Sequence, residues 1–134
     1  MRARLAAVMA AAAGLASVAV APAAAGDRIL LTRDSAEFTA GFFAVVQGAP
    51  FDDDVHVNCR KRIALNVRRC RVHWEARHTD NKGRLEIAAF RRDADANRYR
   101  VRYRLHQTDK RCAAADPLAD CTSILRGHDW YTGG

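Results

Sequence analysis

Between Val55 and Leu105, apolar and polar residues alternate with a period of two in four separate runs. Val55, Val57 and Cys59 alternate with His56, Asn58 and Arg60. Cys70, Val72, Trp74 and Ala76 alternate with Arg71, His73, Glu75 and Arg77. Leu85, Ile87 and Ala89 alternate with Glu86, Ala88 and Phe90, and Tyr99, Val101, Tyr103 and Leu105 alternate with Arg98, Arg100, Arg102 and Arg104. Successive side chains of a strand point to opposite faces, so each run predicts a half-buried strand. Upstream, Phe38, Phe42 and Val45 recur at i, i+4 and i+7, and Ala36, Ala40 and Phe43 widen that stripe, which is a helical period. Asp34-Ser35-Ala36-Glu37 has the form of a capping box, and Gly48 and Pro50 end the pattern, so a helix is predicted over residues 35–47.

Turn-forming residues at Asp80-Asn81-Lys82-Gly83 and at Asp93–Asn97 separate the later strands, and the first hairpin has its tip near Ile63–Asn66. The registers that keep one apolar face set Cys59 against Cys70, Val57 against Val72 and Val55 against Trp74. They then set Trp74 against Ile87 and Ala76 against Leu85, and finally Ile87 against Tyr103 and Ala89 against Val101. The predicted fold is α+β, with one N-terminal helix packed on a four-stranded antiparallel meander and an irregular C-terminal tail from Lys110. Within that tail, Ser123-Ile124-Leu125 suggests a short strand. Trp130 and Tyr131 either close the edge of the core or lie exposed; the pattern leaves both open.

The N-terminus follows a different rule. Arg2 and Arg4 precede an apolar, alanine-rich run from Leu5 to Val20, and Ala23-Ala24-Ala25 fits a small-residue cleavage site. Residues 1–25 therefore read as a secretory signal peptide and residues 26–134 as a single domain delivered to the periplasm, the envelope exterior or the medium. No later segment has the length to span a membrane. All four cysteines, Cys59, Cys70, Cys112 and Cys121, fall in the exported part, where an even count predicts two disulfides. Of three connectivities, proximity and strand geometry favour Cys59–Cys70 and Cys112–Cys121. No C-x-x-C pair and no histidine at finger spacing accompanies them, so no metal site is expected.

A helix followed by Cys59, an arginine-rich stretch, Cys70 and then Val72-His73-Trp74 resembles small secreted bacterial domains in which a helix precedes a disulfide-closed basic hairpin and an antiparallel sheet. That resemblance covers about half of residues 26–134 and brings no activity with it. The order of helix and sheet also looks similar to the cystatins, but the Q-x-V-x-G inhibitory loop of that family is missing, which removes support for protease inhibition.

The chain carries 22 Lys and Arg against 15 Asp and Glu, a net charge of +7. The excess sits in residues 55–111, with 17 basic and six acidic side chains. On the expected polar face, Glu86 falls opposite Arg104, Ala88 opposite Arg102, and Phe90 between Arg71 and Arg100, with His73 and Glu75 beside them. Arg71, Phe90, Arg100 and Arg102 are thus the candidate binding residues, and arginine forks suit an anionic polymer or an acidic protein. Alternating arginine also keeps an exposed strand soluble, which is the simpler explanation of the row as a whole. His73 and Glu75 are the remaining candidates for acid–base chemistry. A Glu/His pair with arginine is what RNA transesterification requires, and the helix-on-sheet architecture is similar to that of small secreted ribonucleases, although no motif carries over. No P-loop, dinucleotide glycines, G-x-S-x-G or H-E-x-x-H occurs, and no cofactor is expected. The functions in view are a non-enzymatic binding domain using the basic face, a ribonuclease-like hydrolase, and an accessory structural domain without a ligand.

Overall fold

All four runs of alternating residues form strands, and the tail adds a fifth long one. The computed structural model describes residues 26–50, 54–93 and 96–133; the predicted signal segment lies outside them. In chain order the elements are β1 (Asp27–Arg28), α1 (Arg33–Val46), β2 (His56–Ala64), β3 (Val67–Glu75), β4 (Thr79–Arg91), β5 (Asn97–Asp109), α2 (Lys110–Ala115) and β6 (Thr122–Gly133). The strands make one six-stranded antiparallel sheet in the order β2-β3-β4-β5-β6, with β1 paired to the far end of β4. The expected single helix on a four-stranded meander with an irregular tail is therefore wrong. The molecule is mostly sheet, with two short helices, and the tail supplies α2 and β6. As an edge strand with most of its residues exposed on both faces, β6 has no reason to alternate, so only its Ser123-Ile124-Leu125 segment is legible as strand in the sequence.

α1 is capped by Thr32, whose side chain accepts from the Ser35 amide at 3.2 Å, not by Asp34. Glu37 accepts from Arg33 Nε at 2.8 Å and from the Cys59 amide at 3.4 Å, tying the helix to β2. The Arg33 hydrogen bond is the main cause that holds the Glu37 carboxyl below its ordinary pKa. The buried face of α1 is Ala36, Thr39, Ala40, Phe43 and Ala44. Three alanines let the helix lie close to the sheet, and Phe43 reaches between strands to meet Tyr103. The larger side chains of the predicted stripe, Phe38 and Phe42, are 79% and 49% exposed.

Opposite α1 the sheet contributes Cys59, Cys70, Val72, Trp74, Leu85, Ile87, Ala89, Val101 and Leu105, all buried. The Cys59–Cys70 disulfide lies within this core, and Cys112–Cys121 joins the middle of α2 to the start of β6. Val57 pairs with Val72 as expected, but the next two registers differ. Trp74 pairs with Asn81 instead of Ile87, and Ile87 with Val101 instead of Tyr103. Asp80-Asn81-Lys82-Gly83 is strand, not turn; the β3–β4 turn closes earlier, where the Ala76 amide donates to Thr79. Asn81 is buried yet satisfied, donating to Thr79 and accepting from Gln107 at 2.9 Å. Gly83 serves close backbone packing, because a Cβ there would stand 2.1 Å from the Arg104 carbonyl oxygen. Among the described residues no helix is long and apolar enough to cross a membrane.

Candidate basic face of the sheet

The face of the sheet turned away from α1 is built by the alternate residues of each strand, and their registers line up arginines. Arg71 on β3 pairs with Arg84 on β4, Arg84 with Arg104 on β5, and Arg104 with Arg126 on β6. At a strand spacing of about 4.8 Å, four guanidinium-bearing positions cross the sheet within about 14 Å. All four residues are exposed, and among the described residues none has a salt-bridge partner. The adjacent row reads Lys61, Arg69, Glu86, Arg102, His128, so its single acid lies between two arginines. The row on the other side reads His56, His73, Lys82, His106. Arg68, by contrast, is structural: it points to the helix side and donates to the carbonyls of Leu31 at 3.0 Å and Cys59 at 3.1 Å.

Shallow grooves run between these side chains, and three of them share Arg84. One of about 280 Å³ is lined by Arg60, Lys61, Arg69, Arg71 and Arg84. A second of about 310 Å³ lies among Arg69, Arg84, Arg102, Arg104 and Arg126. A third of about 580 Å³ lies among Arg71, Lys82, Arg84, Arg104 and His106. Arg84 lines all three, so the grooves form one branched cationic surface.

The candidate binding residues divide between two places. Arg71 and Arg102 belong to the cationic surface. Phe90 and Arg100 do not: they lie at the far end of the same face, on β4 and β5, near Trp130 of β6. Phe90 is buried, with its ring 5.8 Å from that of Trp130. Arg98 stacks over Trp130 at 4.4 Å, and Arg100 lies 5.8 Å and 5.9 Å from the centroids of Phe90 and Trp130. Arg100 Nε is buried with no hydrogen-bond partner. This is a packed cation–aromatic cluster in which arginine covers apolar surface. Tyr131 points the other way, to the helix side, and meets Phe42 edge-on at 5.2 Å; Trp130 and Tyr131 therefore cap opposite faces of the same strand end.

His73 and Glu75 share the polar face but are engaged separately. His73 Nε2 lies 2.6 Å from an Asp80 carboxylate oxygen, and the His73 ring stacks on His56. Glu75 accepts from Lys110 Nζ at 3.3 Å. The donor atoms of His73, Glu75 and Asp80 lie within 4.8 Å of one another. The Lys110 ammonium already occupies Glu75, and Lys82 and Arg71 flank His73, so the surroundings repel a cation.

Comparison with known proteins finds no matching family model, no similar curated protein and no similar solved structure. The site thus rests on its own geometry. The sequence pattern does not single out Arg84, Arg104 or Arg126, and it sets Glu86 opposite Arg104. Glu86 instead faces Arg69 and Arg102. The signal available was the strand-compatible parity of Lys82, Arg84 and Glu86, masked by the turn-like residues around them.

Proposed function

We propose that the protein is a non-enzymatic binding domain whose basic sheet face takes an anionic polymer. The observation that carries this reading is the Arg71–Arg84–Arg104–Arg126 row, four arginines directly opposed across adjacent strands with no salt-bridge partner among the described residues. Like charges set opposite one another oppose sheet formation. Surface solvation needs arginines only somewhere on the face; it does not call for aligning them without an acid. The grooves are open and share side chains, which suits a linear ligand bearing repeated phosphate, sulfate or carboxylate groups more than a small enclosed anion.

The test is retention of the purified oxidised protein on heparin and its binding to a labelled single-stranded DNA oligonucleotide over a range of salt. Binding should weaken steeply with salt, and Arg84→Gln with Arg104→Gln should reduce the slope of log affinity against log salt by about two. Tighter binding to one probe assigns sulfate or phosphate chemistry. Unchanged retention of the double variant would overturn the reading.

The His73–Asp80 pair favours a second reading, phosphodiester hydrolysis, because a carboxylate that orients an imidazole beside arginine and lysine is a general-base arrangement. RNA left intact by the oxidised protein, or cleaved equally by His73→Ala, would remove it.

A further inference from the structure

The sheet has two long edges, and they are treated differently. β2 is guarded: its register with β3 is broken between Asn58 and Lys61 and again between Arg62 and Ala64, and it carries Arg60, Lys61 and Arg62 in succession. Bulges and charge are the usual means by which an edge refuses another strand. β6 has neither. It pairs with β5 without interruption from Asn97↔Gly133 to Thr108↔Thr122, and its other side presents an open row of backbone donors and acceptors. Its charged residues are Arg126 and Asp129, which cancel, in a chain of net charge +7.

We infer that β6 is a self-association edge and that its occupant is β6 of a second copy, paired antiparallel about a two-fold axis. The inference is independent of the polyanion reading. Charge selects the occupant: β2 of another copy would bring three cations, whereas β6 meets β6 without net repulsion. Register supports it. Faces are preserved only if paired residues have the same parity, and full overlap of Thr122–Thr132 places Gly127 on the axis. Ile124, 47% exposed, then faces Trp130 of the second copy, Thr122 faces Thr132, and Arg126 faces His128.

Two otherwise unexplained apolar features fall at the ends this pairing brings together. A groove of about 570 Å³ opens beside the C-terminal end of β6; its apolar wall is Phe38, Phe42, Tyr99 and Tyr131, and Asp34 also lines it. Leu118 is 96% exposed on the disulfide-closed loop that leads into the N-terminal end of β6. Antiparallel pairing sets the loop of each copy at the groove of the other. Leu118, with the 38% exposed Leu125, supplies the apolar cover that Phe38 and Phe42 lack. The same pairing joins the two basic faces into one continuous surface.

Sedimentation velocity of the oxidised protein, without any polyanion, reads the result. A concentration-dependent dimer is expected at micromolar protein. Ile124→Lys with Leu125→Lys should weaken it by tenfold or more, the scale of a charge desolvated at an interface. Leu118→Asp, on a loop outside the core, should weaken it as well and reports even where the strand variant folds poorly. Arg62→Gln on β2 should leave it unchanged. A monomer at all concentrations, or a dimer indifferent to both the β6 and Leu118 variants, would overturn the proposal.

Discussion

Arg84 and Arg104 stand directly opposite each other in β4 and β5, and among the described residues neither has a salt-bridge partner. Such a pair costs the fold a few tenths of a kcal/mol to about 1 kcal/mol. Arg84→Gln should therefore raise the urea midpoint at low salt, and the gain should shrink as added salt screens the repulsion. The same variant should bind a polyanion more weakly. Stability and affinity moving in opposite directions is the mark of charge kept for a ligand; an unchanged midpoint at low salt would show that the side chains splay apart and the row carries no strain.

The two disulfides close loops of similar length, at sequence separations of 11 and 9, and chain entropy alone assigns each roughly 2–3 kcal/mol. Their surroundings differ. Cys59 and Cys70 are fully buried, and they clamp a hairpin in which Lys61 faces Arg69 and Arg62 faces Arg68. Cys59→Ala with Cys70→Ala should lose more stability than Cys112→Ala with Cys121→Ala, because it opens a gap in the core and releases like charges. Urea unfolding of both double variants decides the order, and equal losses would contradict it.

The faces of the sheet are legible in the sequence, as is the β2–β3 register, whereas the β3–β4 and β4–β5 registers are not. Alternation places the partner of Trp74 six residues from Asn81 and that of Ile87 two residues from Val101, and both differences are even. Alternation fixes the parity of a pairing and therefore its face, whereas the position of the turn fixes the register. Asn81 and Gly83 are typical turn residues, so the sequence pattern places the turn at them. Here Asn81 is kept in a strand by Thr79 and Gln107, and Gly83 by the approach of β5. Of the helical stripe, Ala36, Ala40 and Phe43 do face the sheet, whereas Phe38 and Phe42 face out, because close approach favours small side chains over apolar bulk. β6 was nearly invisible because an edge strand needs no alternation.

Tyr131 gives the fold a dependence on alkaline pH. Burial against Phe42, with the Asp129 carboxylate nearby, pushes its phenol up from about 10 to about 12. The folded state thus holds this proton more tightly than the unfolded chain. Its contribution is complete below pH 10 and is lost as pH rises towards 12. Stability measured across that window should fall in the wild type, and the fall should be shallower in Tyr131→Phe. Absorbance at alkaline pH should show the late-titrating phenol disappear in the same variant. Matching stability curves for the two proteins would place the ionisation elsewhere.

Arg100 and Arg102 are two residues apart on the same strand face, yet their surroundings assign them opposite roles. Arg100 is half-buried beside the rings of Phe90 and Trp130, with Nε sealed from water and unpartnered, so its value lies in the apolar surface its stem covers. Arg102 is exposed between Glu86 and His128 and lines the groove with Arg84 and Arg104. Arg100→Met keeps the stem and removes the charge, so it should leave stability within about 1 kcal/mol and polyanion affinity nearly intact. Arg100→Ala should cost more, by uncovering Phe90. Arg102→Gln should do the reverse, sparing stability while weakening binding and lowering its salt slope by about one. Measuring urea midpoints and heparin elution for all three separates the roles. If Arg100→Met lost as much affinity as Arg102→Gln, the aromatic cluster would belong to the binding surface and the cationic site would extend the full length of β5.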